Sequence, residues 1–96
     1  MKKLEKEIES AAVKHATSLG CKALKLIDRG RKGFPDRSIF CPGGKFFLVE
    51  FKRPYEKPTQ VQIECHAALE ALVFDVFTID NLQAFKLILQ DYVEAT

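Results

Sequence analysis

The sequence predicts an α/β domain whose elements run α-β-β-β-α-β-α. Three observations carry that reading. Apolar residues recur at helical spacing over residues 3–19, 59–72 and from 80 onward. Between these stretches lie short runs that read as strands, at residues 21–27, 37–41, 45–52 and 73–79. Glycine and proline mark the junctions, at Gly20, Gly33, Pro42-Gly43-Gly44, Pro54 and Pro58. A chain of 96 residues suffices for one core and is too short for two, so residues 1–96 are expected to form a single domain.

In the first helix Leu4, Ile8, Ala11, Ala12, Ala16 and Leu19 form the apolar stripe, and Gly20 is a natural stop. At about 100° per residue, Glu5 falls at one edge of that stripe and Glu9 just beyond the same edge, while Glu7 points away. Periodicity does not choose between Glu5 and Glu9. The first strand leads into the basic loop Asp28-Arg29-Gly30-Arg31-Lys32-Gly33, whose two glycines allow close backbone approach to a ligand. Phosphate contact and plain solvation fit this loop equally well.

Strands 37–41 and 45–52 flank Pro42-Gly43-Gly44 as a hairpin. The second of them is apolar on both faces, with Phe47, Val49 and Phe51 on one and Phe46 and Leu48 on the other, which predicts a central strand covered on both sides. Thr59 is expected to cap the next helix, with Val61, Cys65, Ala68, Leu69 and Leu72 as its stripe. Asp80 is expected to cap the last helix, with Leu82, Phe85, Leu89 and Val93 as its stripe.

No apolar run approaches the roughly 20 residues of a membrane span, and the charged start Met1-Lys2-Lys3-Leu4-Glu5 argues against a secretory signal. The expectation is a cytoplasmic protein of a bacterial or infected host cell. Cys21, Cys41 and Cys65 are odd in number and form no CxxC pair, which argues for reduced thiols rather than a zinc site or disulfides. Charge is uneven. Residues 1–57 hold 14 Lys/Arg and 7 Asp/Glu, whereas residues 58–96 hold one Lys and 6 Asp/Glu. The first part suits a polyanion and the second does not.

The chemistry concentrates between Gly33 and Lys52. Glu50 and Lys52 are two apart in a strand and share one face. An acid and a base on a covered central strand cost several kcal/mol unless paired or liganded. With a three-residue loop, Cys41 faces Lys45 and Asp36 faces Glu50, which brings two carboxylates about 4.5–5.5 Å apart at Cβ. They repel unless a cation lies between them, and hard oxygen ligands suit Mg²⁺ or Mn²⁺. A two-residue Gly43-Gly44 loop would instead set Asp36 opposite Phe51 and separate the pair. Lys52 is placed to handle a water or to offset charge on a phosphate. The plainer alternative is a surface Glu50–Lys52 ion pair. His66 follows Gln62 by four residues on the same helix face, where such a pair can position water or phosphate. The commoner role for such a residue is a partly buried, hydrogen-bonded one. His15 lies within a helix stripe and reads as structural.

The chain resembles the PD-(D/E)xK nuclease superfamily, and within it the virus-type replication-repair nuclease (VRR-NUC) family. The matching segments are Ile8-Glu9, Gly33-Phe34-Pro35-Asp36-Arg37, Pro42-Gly43-Gly44, Val49-Glu50-Phe51-Lys52, Lys57-Pro58-Thr59 with Gln62, and Phe77-Thr78-Ile79-Asp80. Departures are confined to Cys41 before the turn, and to Val73-Phe74 where a glycine-containing turn is more usual. The resemblance implies a restriction-endonuclease-like fold, a small mixed sheet flanked by helices. It implies that Asp36, Glu50 and the Phe51 backbone carbonyl bind Mg²⁺ or Mn²⁺, that Glu9 completes the metal site, that Lys52 is the catalytic lysine, and that Gln62 orients water or substrate.

The resulting expectation is a metal-dependent endonuclease acting on structured DNA. Family likeness implies a homodimeric Holliday junction resolvase, since a two-fold junction requires two matched nicks. Lys25, Arg29, Arg31, Lys32 and Arg37 are the expected backbone-phosphate contacts. The alternatives are a flap, nick or general DNA nuclease, and a nucleic-acid-binding module without catalysis.

Overall fold

A computed structural model describes residues 2–25 and 32–94. Helix α1 (Lys2–Ser18) leads into strand β1 (Lys22–Leu24). Strands β2 (Arg37–Phe40) and β3 (Phe46–Phe51) flank a 3₁₀ turn at Pro42–Gly44. Helix α2 (Gln60–Ala71), strand β4 (Val76–Ile79) and helix α3 (Leu82–Glu94) follow. The strands form one mixed sheet ordered β1-β2-β3-β4, antiparallel as far as β3 and parallel between β3 and β4. The expected α/β class and element order hold. Most of the basic loop, including Arg29 and Arg31, lies outside the described residues.

The two faces of β3 divide the labour. Phe47, Val49 and Phe51 turn toward α1 and α3 and form the core with Ala12, Ala16, Ile39, Ile79, Phe85 and Leu89. The Phe47 ring stacks within 4.5 Å of Tyr92 and 6.1 Å of Phe85, measured between centroids. Leu48, Glu50 and Lys52 alternate onto the opposite face and are buried as well. The covered central strand read from the sequence is therefore present. Cys21 and Cys41 are buried free thiols, and Cys65 is a half-buried one.

Thr59 caps α2 as expected. Its hydroxyl accepts from the Gln62 N–H at 3.2 Å, and Gln62 returns its side-chain oxygen to the Thr59 N–H at 2.9 Å. This is a reciprocal capping box. Asn81, not Asp80, caps α3: its side-chain oxygen accepts from the Ala84 N–H at 2.8 Å. Asp80 instead accepts from the Tyr55 N–H and from the Asn81 amide.

The last strand is shorter than residues 73–79. Val73 ends α2 in the left-handed region, with φ 72. Its N–H donates to the Glu70 carbonyl and the Phe74 N–H to the Leu69 carbonyl. These bonds define a Schellman termination, where glycine normally sits. A β-branched residue at this position masks the stop, so Val73-Phe74 reads as strand. The apolar stripe of α2 is also misdirected: Val61, Ala68 and Leu72 are exposed, and His66 is the residue this helix buries.

Val73 is 88% exposed, so its side chain returns little burial for the strain it bears. Val73→Gly should stabilise the fold by roughly 1 kcal/mol, relieving an αL cost of about that size. Urea denaturation of the two proteins measures the difference, and an unchanged or lower midpoint would refute strain at this turn.

Candidate active site

Hairpin register brings the site together. Arg37 pairs with Val49 and Ser38 with Leu48, and the Cys41 N–H closes the turn on the Lys45 carbonyl at 2.8 Å. The loop is thus the three-residue form, and Asp36 falls opposite Glu50. Pro35, having no N–H, cannot extend the ladder. At that end Asp36 substitutes a side chain, its Oδ2 accepting from the Phe51 N–H at 2.8 Å.

On its other side the Lys52 N–H donates to the Ile79 carbonyl at 2.8 Å. The chain has no cis peptide among its described residues. In a trans peptide the C=O points opposite to the N–H, so the Phe51 carbonyl faces away from β4, toward Asp36. Two carboxylates and a main-chain oxygen therefore converge at the end of β3.

Helix α2 holds Glu50 from above. The capping box consumes the Gln62 side-chain oxygen, which fixes the amide orientation and leaves Nε2 as donor. That nitrogen donates to Glu50 Oε2 at 3.1 Å. Close approach is possible because Gly33, at φ 81, sets its backbone against the first turn of α2. A Cβ there would lie 2.6 Å from the Val61 carbonyl oxygen. His66, which the sequence reads either as positioning water or phosphate with Gln62 or as a partly buried residue, lies over the same carboxylate, with Nε2 at 3.9 Å from Glu50 Oε1. Its four-residue spacing from Gln62 was the available signal.

Glu9 Oε2 accepts from Arg37 Nε at 2.6 Å, and Arg37 also donates to the Ala23 carbonyl. This ion pair was not foreseen. Glu5 also reaches the site: burial raises its carboxyl, with Glu56 and Asp36 adding to the rise and Lys52 opposing it. Of the five expected phosphate contacts, Lys25 and Lys32 are exposed and Arg37 is half-buried in its ion pair. Lys25 and Arg37 line a groove with Lys6, Lys14 and Glu9 along the flank of α1.

Electrostatics mark the centre. Glu50, 4% exposed, is pushed up to about 8 by burial first and by the Asp36 charge second, against the pull of Lys52. Burial also raises Asp36, although the Phe51 N–H opposes the rise. Lys52 is 5% exposed. Burial lowers His66, which favours its neutral form. Glu50 Oε1 is buried with no hydrogen-bond partner among the described residues.

The set suits a hard divalent cation, which would relieve the repulsion and occupy the bare oxygen. No cluster of three His, Cys, Asp or Glu side chains closes around a point among the described residues. Two carboxylates and one carbonyl would leave positions for water on such an ion.

An acid pair with a lysine two residues on, at the end of a central strand, is the arrangement expected of a PD-(D/E)xK nuclease site. No family model matches the sequence. "Putative nuclease p44" of Acyrthosiphon pisum secondary endosymbiont phage 1 is 42% identical over 77 residues, which cover 80% of this chain and 83% of that one. A solved "VRR_NUC domain" superposes with a TM-score of 0.84 at 26% identity, covering 93% of this chain and 97% of its own. The chain belongs to the VRR-NUC family of nucleases. No helix among its described residues is long and apolar enough to cross a membrane.

The raised carboxyls give the metal-free fold a definite pH dependence. Folded Glu50 keeps its proton to about pH 8, whereas its ordinary value is 4.5. Between these values the folded state binds more protons than the unfolded one, so stability falls as pH rises. Melting temperature in EDTA should drop from about pH 5 to about pH 8, and Glu50→Gln should flatten that slope. A wild-type slope that is flat or rising would contradict the buried acid pair.

Proposed function

We propose that the protein is a metal-dependent endonuclease that hydrolyses phosphodiester bonds in structured DNA. The observation that carries this reading is the carboxylate pair of Asp36 and Glu50 with Lys52, gathered at the end of β3. Asp36, Glu50 and the Phe51 carbonyl hold Mg²⁺ or Mn²⁺, with Glu9 completing the site. The bound ion supplies Lewis acidity toward the phosphoryl oxygen.

Lys52 places its ammonium beside the scissile phosphate, where it offsets charge that builds in the transition state. Because it is almost fully desolvated, its field there is stronger than it would be in water. Gln62 keeps Glu50 in place and orients the attacking water. Lys25, Lys32 and Arg37, joined by Lys6 and Lys14 along the α1 groove and by Arg29 and Arg31, contact backbone phosphates. Such contacts set affinity and salt dependence rather than sequence choice.

The favoured substrate is a Holliday junction and the acting form is a homodimer. A four-way junction is nearly two-fold symmetric and needs two nicks, which a C2 dimer supplies in matched orientation. The protein works in the cytoplasm of a bacterial or infected host cell.

Labelled immobile junction, flap and linear duplex test these statements together, each with Mn²⁺ and with EDTA. Paired symmetric nicks on the junction, abolished by EDTA and by Asp36→Asn, are expected. Lys52→Ala should slow cleavage at least about 100-fold while junction affinity stays nearly unchanged. Preferential cutting of flap or linear DNA would replace the junction assignment, and a strict monomer by ultracentrifugation would remove its basis. Undiminished cleavage in EDTA would overturn the metal-centre reading.

A further inference from the structure

We propose that His66 is a positioning residue for Glu50, the second donor of a two-point clamp that α2 places on this carboxylate. The inference rests on the reading of Glu50 as a metal ligand and assigns the residue that orients it.

Both atoms concerned are buried and bare. Glu50 is 4% exposed and His66 8%. Neither Glu50 Oε1 nor His66 Nε2 has a hydrogen-bond partner among the described residues. Leaving one such group unsatisfied costs about 1–3 kcal/mol. Here a potential donor and an acceptor face each other across 3.9 Å. Closing that gap to an ordinary hydrogen bond requires a movement of about 1 Å, which a side-chain rotation supplies.

The other end of the clamp is already made. Gln62 Nε2 donates to Glu50 Oε2, and residues four apart on a helix lie on one face. One donor leaves a carboxylate free to turn about that contact, and a second fixes its plane. Each carboxylate oxygen has two lone pairs, so a donor on each leaves both oxygens able to meet a cation.

Packing alone does not account for a histidine here. The apolar residues Val61, Ala68 and Leu72 of the same helix face solvent, while its one buried position carries a polar ring. Partners of metal ligands of this kind alter metal affinity by 10–100-fold when removed.

Mn²⁺ titration of the full chain by calorimetry tests the clamp without reference to cleavage. His66→Leu should weaken Mn²⁺ binding 10–100-fold, and His66→Gln, which keeps a donor, should recover most of it. Imidazole ¹⁵N NMR of the Mg²⁺-loaded wild type needs no substitution: Nε2 should carry the proton. Wild-type Mn²⁺ affinity in a folded His66→Leu, or a proton on Nδ1 with Nε2 bare, would overturn the proposal. Absence of Mn²⁺ binding by the wild type would overturn the metal-centre reading and the clamp with it, which distinguishes the two failures.

Discussion

The hairpin does not let Asp36 and Glu50 part, and both cannot be charged without repelling each other. Their proximity follows from a three-residue turn and a period of two along β3. Much else in the site answers that one constraint. The Phe51 N–H draws charge from Asp36, the Gln62 amide draws it from Glu50, and Lys52 lies within the field of both. What remains uncompensated appears as raised carboxyls and a bare buried oxygen. A fold selected for stability alone would replace this pair with apolar residues, as the other face of the same strand does with Phe47, Val49 and Phe51. That contrast between faces is what the proposed metal site on this strand would explain.

Helix α2 serves this centre more than it serves a core. Its first turn is organised by the Thr59–Gln62 box, which also decides which end of the Gln62 amide reaches Glu50. A local helix-capping device thereby becomes part of the site. The core lies on the other face, where α1 and α3 meet the sheet.

Much of this was legible in the sequence because it depends on short-range rules. The turn allowed two registers, of which the three-residue one pairs the carboxylates, and Thr59 announced the cap of α2, while the Gln62 half of the box emerges only in the fold. What escaped depends on tertiary competition. Val73 occupies a left-handed position against its own preference, so the stop after α2 looked like strand. Asp80 and Asn81 are both good caps, and the Tyr55 N–H claims Asp80. The stripe of α2 was legible as apolar, but Val61, Ala68 and Leu72 are exposed and the helix turns His66 inward, an orientation that periodicity alone does not fix. The Glu9–Arg37 pair joins elements 28 residues apart, and no periodicity reports such a contact.

The close approach of Gly33 to Val61 couples both carboxylates to one helix. Gly33 is three residues before Asp36 in the chain, and α2 touches Glu50 directly through Gln62. Each acid is thus tied to α2, one through the loop and the other through a side chain. Substitutions along its first two turns share these routes, so their energetic effects are not independent. Adding single-residue values would misstate what this helix contributes, and the smallest meaningful unit of measurement here is a double-mutant cycle.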